Sequence, residues 1–572
     1  MDNRRLNQDF TFSLSTLPVA LSAILLFGCG DNSSPEKPPE IVVVAVPEKI
    51  DEKVAELLHN TVNYLNGTNS TLNDSVKLPT GALNIVYNAN GFRPLWSTDE
   101  RWTPSADSMY DYIRQSAHAG LFPSDYHLSA LAAIRGGMLA DSLHKKNAAQ
   151  WARADVLLTA AYLDMAHDLS VGRLPKDSIS LRSDSLYTDS TFARNLQQAV
   201  TDNHIKSSLE QLEPVLNGYR ALKAALPQFL DSVKFTATTF IDFPSPDSIG
   251  MMKQVGKRLA ELGFVLPAGD STPGKALIRR YQKQAGLPVT GMVAEKTAAS
   301  LNNTPWNNFK RIAVTLDRYK RLPDTLPSQY LWVNLPGFYL QLWNNDTMVL
   351  SSKIVVGKPQ TRTPVLTSKI SNIVTYPQWT IPESIIVKEV LPGLKKDTNY
   401  LRKKGYSLIN FHGDEVYPST VKWAKYNKGI PYKVVQGSGD DNALGVLKFN
   451  FSNKYAVYLH DTNQRYFFDR SYRALSHGCV RVQQWNKLAR FLISNDSLAV
   501  APASPAFKTD TLSAWLQRKE KHTVPVKTRL PLFIRYFGCE GIDGKVVFYP
   551  DIYGEDALLA DRYFADKPIP HE

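Results

Sequence analysis

The chain has 572 residues, 43% of them hydrophobic and ten of them tryptophan. That is too long for one hydrophobic core and too apolar for a disordered chain, so several globular domains are expected. The formal net charge of +12 suits a polyanionic surface or polymer. No lysine or arginine run is interleaved with aromatics, so nucleic acid is not an expected partner.

In chain order, Arg4 and Arg5 precede an apolar run from Phe10 to Leu26 that is shorter and more serine-broken than a membrane span. It ends in Leu26-Phe27-Gly28-Cys29, which resembles a bacterial lipoprotein signal. The resemblance implies removal of residues 1–28, lipidation of Cys29, and a tether over 29–50 that holds the body off a bilayer. No aspartate follows Cys29, which favours the outer over the inner membrane of the periplasm by analogy with such proteins.

Residues 51–245 read as an α-helical domain. Leu158, Tyr162, Met165 and Leu169 fall three or four apart on one face, before Gly172 stops the helix. Residues 251–303 read as three short helices, with stripes of Met252, Val255, Leu259 and Leu262, of Leu277, Ile278, Tyr281 and Ala285, and of Ala294, Ala298 and Leu301. From Tyr330 onward the period changes to two: Leu331, Val333 and Leu335 alternate with Tyr330 and Trp332, the mark of a half-buried strand. "LPLFIRYF" and "KVVFY" are expected to form a hairpin around Gly541–Gly544. Residues 380–441, rich in Pro, Lys and Gly, fit a long insertion or lid better than sheet. The fold class expected is multidomain α+β.

Chemistry concentrates in "ALSHGCVR", Ala474–Arg481. By ordinary residue frequencies a Ser-His-Gly-Cys string arises in about one chain in a thousand of this length. A nucleophilic cysteine needs thiolate, a base within hydrogen-bond reach and donors for an oxyanion. A neighbouring imidazolium can lower the thiol pKa, and the candidates are His460, nineteen residues upstream, and His477. Gly478 permits close backbone approach, so its amide and that of Cys479 are candidate oxyanion donors. Cys539 could silence Cys479 by pairing with it in an oxidising compartment.

"VYLHDT" followed by "SHGCVR" resembles the signature of the L,D-transpeptidase (YkuD) catalytic family. "VVGKPQTRTPVL", "YPQWTIPESI", "DNALGVLKF" and "DIYGEDA" are similar to its large periplasmic subtype, and "GFRPLW" and "LLTAAYLDMAHDLSVGRL" to that subtype's scaffold domain. Tyr281-Gln282, Gly286-Leu287, Thr290-Gly291 and Thr297 resemble the peptidoglycan-binding domain type 1 pattern.

The resemblance implies a mainly-β catalytic domain over 310–570. In it Cys479 is the nucleophile and His460 the base, oriented by a backbone carbonyl near Asp461. Gly478 and Cys479 amides form the oxyanion hole, and His477 and Ser476 support the site. Arg481 meets a substrate carboxylate or braces the loop, and Tyr458 and Trp423 contact substrate. The implied partners are peptidoglycan stem peptides and glycan, with no cofactor or metal. A non-catalytic wall-binding lipoprotein, a carboxypeptidase using water, and a zinc site from His460, His477 and Cys479 are the alternatives.

Overall fold

The computed structural model describes residues 37–67, 71–72, 76–177, 179–499, 508–565 and 567–568. Cys29 and the expected signal segment lie outside them. Residues Val42–Val44, expected in the tether, instead lie along the scaffold: the Val42 amide donates to Asn147 Oδ1 at 2.9 Å and the Val44 amide to the Lys146 carbonyl at 2.9 Å.

The N-terminal part is helical and wraps one central helix, Ala148–Ser170. The expected stripe of Leu158, Tyr162, Met165 and Leu169 is buried, but so is nearly every other side of this helix. A helix apolar all round belongs at the centre of a bundle. Within it Asp155 accepts from the Leu95 and Trp96 amides at 2.8 and 3.0 Å and from the Tyr87 hydroxyl at 2.7 Å. Trp96 Nε1 donates to Thr159 Oγ1 at 2.9 Å. The "GFRPLW" turn is therefore pinned to the central helix by polar groups that would otherwise be buried without partners.

Three helices, Ser248–Glu261, Lys275–Gln284 and Glu295–Leu301, form a small unit around Val255, Leu259, Phe264, Tyr281, Ala298 and Leu301. Its motif residues meet in one network. Gln282 Oε1 accepts from the Thr290 and Gly291 amides at 2.9 and 2.8 Å, while Nε2 donates to Thr297 Oγ1 and the Met292 carbonyl at 3.0 and 2.9 Å. These residues hold the unit together, which accounts for their spacing without any ligand.

The C-terminal part is a ten-stranded sheet that closes on itself. Strand Leu447–Phe451 pairs with Leu459–His460 on one side and with Leu366–Thr375 on the other. Gln329–Asn334, Tyr339–Asn344 and Thr347–Gly357 form the expected meander, with Leu331, Val333, Leu340 and Leu342 inside. The hairpin differs from expectation: Cys539–Ile542 pairs with Lys545–Phe548, whereas Pro531–Arg535 leaves for the main sheet between Gln329–Asn334 and Leu366–Thr375. Gly544, at φ +74°, supplies the left-handed turn residue.

The insertion also departs from expectation in containing sheet. Trp379–Thr380, Tyr406–Ile409 and Lys433–Gln436 form a three-stranded sheet. With the helices between them they enclose a separate core of Ile381, Val390, Leu394, Leu408, Trp423 and Val434. The N-terminal helices and the helix Pro305–Tyr319 meet the C-terminal sheet through a mixed core that includes Phe122, Leu222, Phe309, Trp332 and Phe537. Among the described residues no helix is long and apolar enough to cross a membrane.

Candidate active site

Strand register builds the site. Leu459 pairs in parallel with Val480, and His460 with Arg481. Leu459 and Val480 are buried in the sheet core at 0% and 1% exposure. Because side chains alternate, Tyr458, His460, Cys479 and Arg481 share the opposite face. Lys448 stands directly across from His460 and joins them.

Cys479 is a free thiol, and so is Cys539. Cys539 is buried elsewhere, donating to Thr315 Oγ1 at 3.3 Å, and burial pushes its thiol up to about 12. The feared bridge is absent. Around Cys479, burial raises the thiol pKa, while the Tyr458 backbone and phenol and then the Lys448 and Arg481 charges act against it. Lys448 Nζ lies 3.9 Å from the Tyr458 ring centroid, and the Tyr458 and His460 rings meet edge to face at 5.6 Å. Burial and then the Arg481 charge hold His460 down to about 3. Its Nδ1 is buried without a hydrogen-bond partner; the Asp461 and Leu444 carbonyls favour the protonated ring but close no bond of good geometry. Burial thus biases both groups toward their neutral forms, against the thiolate–imidazolium pair that the sequence suggested. Desolvation outweighs the neighbouring charges.

Ser476 organises the cysteine turn. Its Oγ accepts from the Gly478 amide at 3.1 Å and donates to the Cys479 carbonyl at 2.7 Å. The Gly478 amide is therefore already engaged, contrary to its expected place in the oxyanion hole. Gly478 itself stands at φ +123°, which an L side chain rarely adopts. Thr361 Oγ1 donates to the Ser476 carbonyl at 3.1 Å and Thr363 Oγ1 to the Gly478 carbonyl at 2.8 Å. Tyr553 Oη donates to the Gly357 carbonyl at 2.8 Å, fixing the loop that carries both threonines. Sequence reading missed Thr361, Thr363 and Lys448 as supports, although each lies in a segment singled out for its likeness.

The other expected residues fall in three places. Asp461 is fully buried, accepting from Arg465 Nη2 at 2.9 Å and the Val446 amide at 3.1 Å; it shapes the turn after His460. Arg481 donates to Thr462 Oγ1 at 3.2 Å and Gln464 Oε1 at 2.9 Å, so it braces the loop, with its Nε buried and unpartnered. His477 points away to the insertion, where Nε2 meets Glu389 Oε1 at 2.5 Å. Trp423 does not reach the catalytic face. It is 5% exposed in the insertion's own core, its indole donating to the Pro418 carbonyl at 2.8 Å. The tryptophan of the insertion that lies near Tyr458 is Trp379, its Nε1 buried without a hydrogen bond of good geometry.

The half-buried Cys479 and the buried His460 thus stand side by side on one face, beside the Tyr458 phenol and the Lys448 and Arg481 cations. Residues 328–500 match the L,D-transpeptidase catalytic domain and residues 81–226 the scaffold domain. A Haemophilus influenzae protein named "Putative L,D-transpeptidase" is 35% identical over 253 residues, covering 44% of this chain and 49% of that protein. The chain thus spans about half the length of the curated relative it matches. Among solved structures, an L,D-transpeptidase from Mycobacterium smegmatis is 11% identical over 37% of this chain and 61% of its own, at a TM-score of 0.18. One from Stackebrandtia nassauensis is 15% identical over 45% and 91%, at 0.14. Scores that low carry no argument about the fold. The similarity to the L,D-transpeptidase (YkuD) catalytic domain is thus carried by residues 328–500, and that to the scaffold domain by residues 81–226.

Proposed function

We propose that the chain is a cysteine L,D-transpeptidase of peptidoglycan. The observation that supports this best is the shared strand face of His460 and Cys479, beside Tyr458 and Arg481. Cys479 attacks the carbonyl of the third, diamino residue of a tetrapeptide stem. His460 takes the thiol proton and passes it to the departing D-alanine amine, leaving a thioester on Cys479. A side-chain amine of a second stem then attacks the thioester, a cross-link between two diamino residues forms, and the thiol is restored. Water in place of the amine makes the same site a carboxypeptidase.

Arg481 links substrate arrival to the base. Its charge is the largest influence after burial that keeps His460 unprotonated, and its Nε has no partner. A donor carboxylate meeting that guanidinium offsets the charge and makes His460 a stronger base only once substrate is present.

The test is intact mass of the full chain incubated with a tetrapeptide-stem muropeptide. Acylation by the thioester mass is expected for wild type and is lost in Cys479→Ala and His460→Ala; an acylated Cys479→Ala protein removes the proposed nucleophile. The "LFGC" segment supports a lipid-anchored periplasmic location, checked by membrane fractionation of Cys29→Ala. The three-helix unit supports wall binding, and failure of residues 251–303 to pellet with sacculi reduces it to a spacer.

A further inference from the structure

The alternation that buries Leu331 and Val333 sends Tyr330 and Trp332 to the outer face of the sheet, and the catalytic chemistry uses neither. On that face Tyr330 pairs across the strands with Trp343, and Trp332 with Gln341. The helix Asn217–Ser232 approaches so closely that a Cβ on Gly541 would lie 2.1 Å from the Ala221 carbonyl oxygen. Between helix and sheet a cleft of about 690 Å³ remains, floored by these aromatics and by Tyr339. That size lies within the ordinary range of ligand pockets, about 300–1,000 Å³.

The lining selects among ligands. Asp324, Asp346 and Glu540 reach the cleft but no lysine or arginine does, which disfavours phosphates and carboxylates. The Tyr330 and Trp343 rings lie 9° from parallel with centroids 6.2 Å apart, paving a surface instead of enclosing a cation. Gln329–Asn334 and Tyr339–Asn344 each have a strand on both sides, so no free edge offers backbone hydrogen bonds to a peptide. The floor is also rigid. Gln341 Oε1 accepts from Trp343 Nε1 at 3.2 Å, and Glu540 accepts from Tyr549 Oη at 2.9 Å and from the Tyr339 hydroxyl. A fixed apolar floor with acceptors beside it matches a neutral pyranose, one face C–H and its rim hydroxyl.

We propose that the cleft between the Asn217–Ser232 helix and the outer face of the Gln329–Asn344 meander binds sugar units of a neutral glycan chain. Taking that chain to be the wall glycan rests on the transpeptidase reading; the cleft itself does not. The probe is the β-1,4-linked tetramer of N-acetylglucosamine, titrated calorimetrically into the full chain. Saturable binding is expected, weakened tenfold or more by Trp343→Ala. Val215→Trp, at a half-exposed position on the cleft wall away from the sheet, is expected to do the same by filling the mouth. Both variants should form the Cys479 thioester with a soluble tetrapeptide within about twofold of wild type. No saturable binding by wild type, or undiminished binding by Val215→Trp, overturns the cleft. Absence of the thioester in wild type overturns the catalytic reading alone. Should Trp343→Ala fail to fold, Val215→Trp decides.

Discussion

At Cys479 two opposing effects meet, and burial wins. Tyr458 is among the few groups that hold the thiol pKa down, so Tyr458→Phe is expected to raise it and slow alkylation by iodoacetamide at pH 7. An unchanged pH profile of alkylation would mean the phenol does not act on the sulfur. His460 gives a second pH signature. Its folded-state value of about 3 lies below the ordinary 6.5, so the unfolded chain binds a proton that the folded chain refuses. Stability contributed by the neutral ring is full above pH 6.5 and is lost as pH falls from there toward 3, by up to about 1.4 kcal/mol per unit. His460→Gln should flatten that slope in denaturant titrations between pH 7 and 4. The same shift predicts no loss of base activity near pH 6.5 in the free enzyme. The Ser-His-Gly-Cys string and the distant histidine were legible in sequence because their chemistry is rare. Engagement of the Gly478 amide by Ser476 was not, since it depends on a turn closing.

At the scale of elements, the lid is the clearest departure from expectation. Its Pro, Gly and Lys content hid three short strands whose partners lie far apart in the chain, as Tyr406 does from Gln436. Pairing of that kind leaves no local period to read. The Trp423 side chain belongs to this small core, so Trp423→Ala is expected to destabilise the lid by about 3–5 kcal/mol. Limited proteolysis should then cut within 379–441 while the scaffold stays protected, and uniform protection would show that the lid has no core of its own. The His477–Glu389 contact joins lid to cysteine turn, but at 35% and 49% side-chain exposure it is worth at most about 1 kcal/mol. The three-helix unit was easier to read. Its helices carry their own stop residues, Gly263 and Gly286, both at positive φ.

Across the whole molecule, buried ions as well as the mixed core tie the N-terminal helical part to the helix Pro305–Tyr319 that precedes the sheet. Asp317 accepts from the Arg173 amide at 2.6 Å, the Leu174 amide at 3.2 Å and Lys320 Nζ at 2.7 Å. Lys320 also donates to the Asp168 carbonyl at 2.6 Å. Removing one member of such a set strands the others in a dry interface. Asp317→Ala is therefore expected to cost about 3–5 kcal/mol and to split one thermal transition into two. A single transition at the wild-type midpoint would deny that the network couples the domains.

The sequence by itself determined the helical and β halves and singled out a candidate nucleophile and base. Each is written in the chain itself: a period, or a rare tetrapeptide. Tertiary structure alone decided that burial pushes the imidazole and thiol toward their neutral forms, that Trp423 packs in the insertion's own core while Trp379 lies near Tyr458, and that Pro531–Arg535 joins the main sheet. Those outcomes depend on which distant groups share a water-excluded space, and desolvation is a property of the packed molecule.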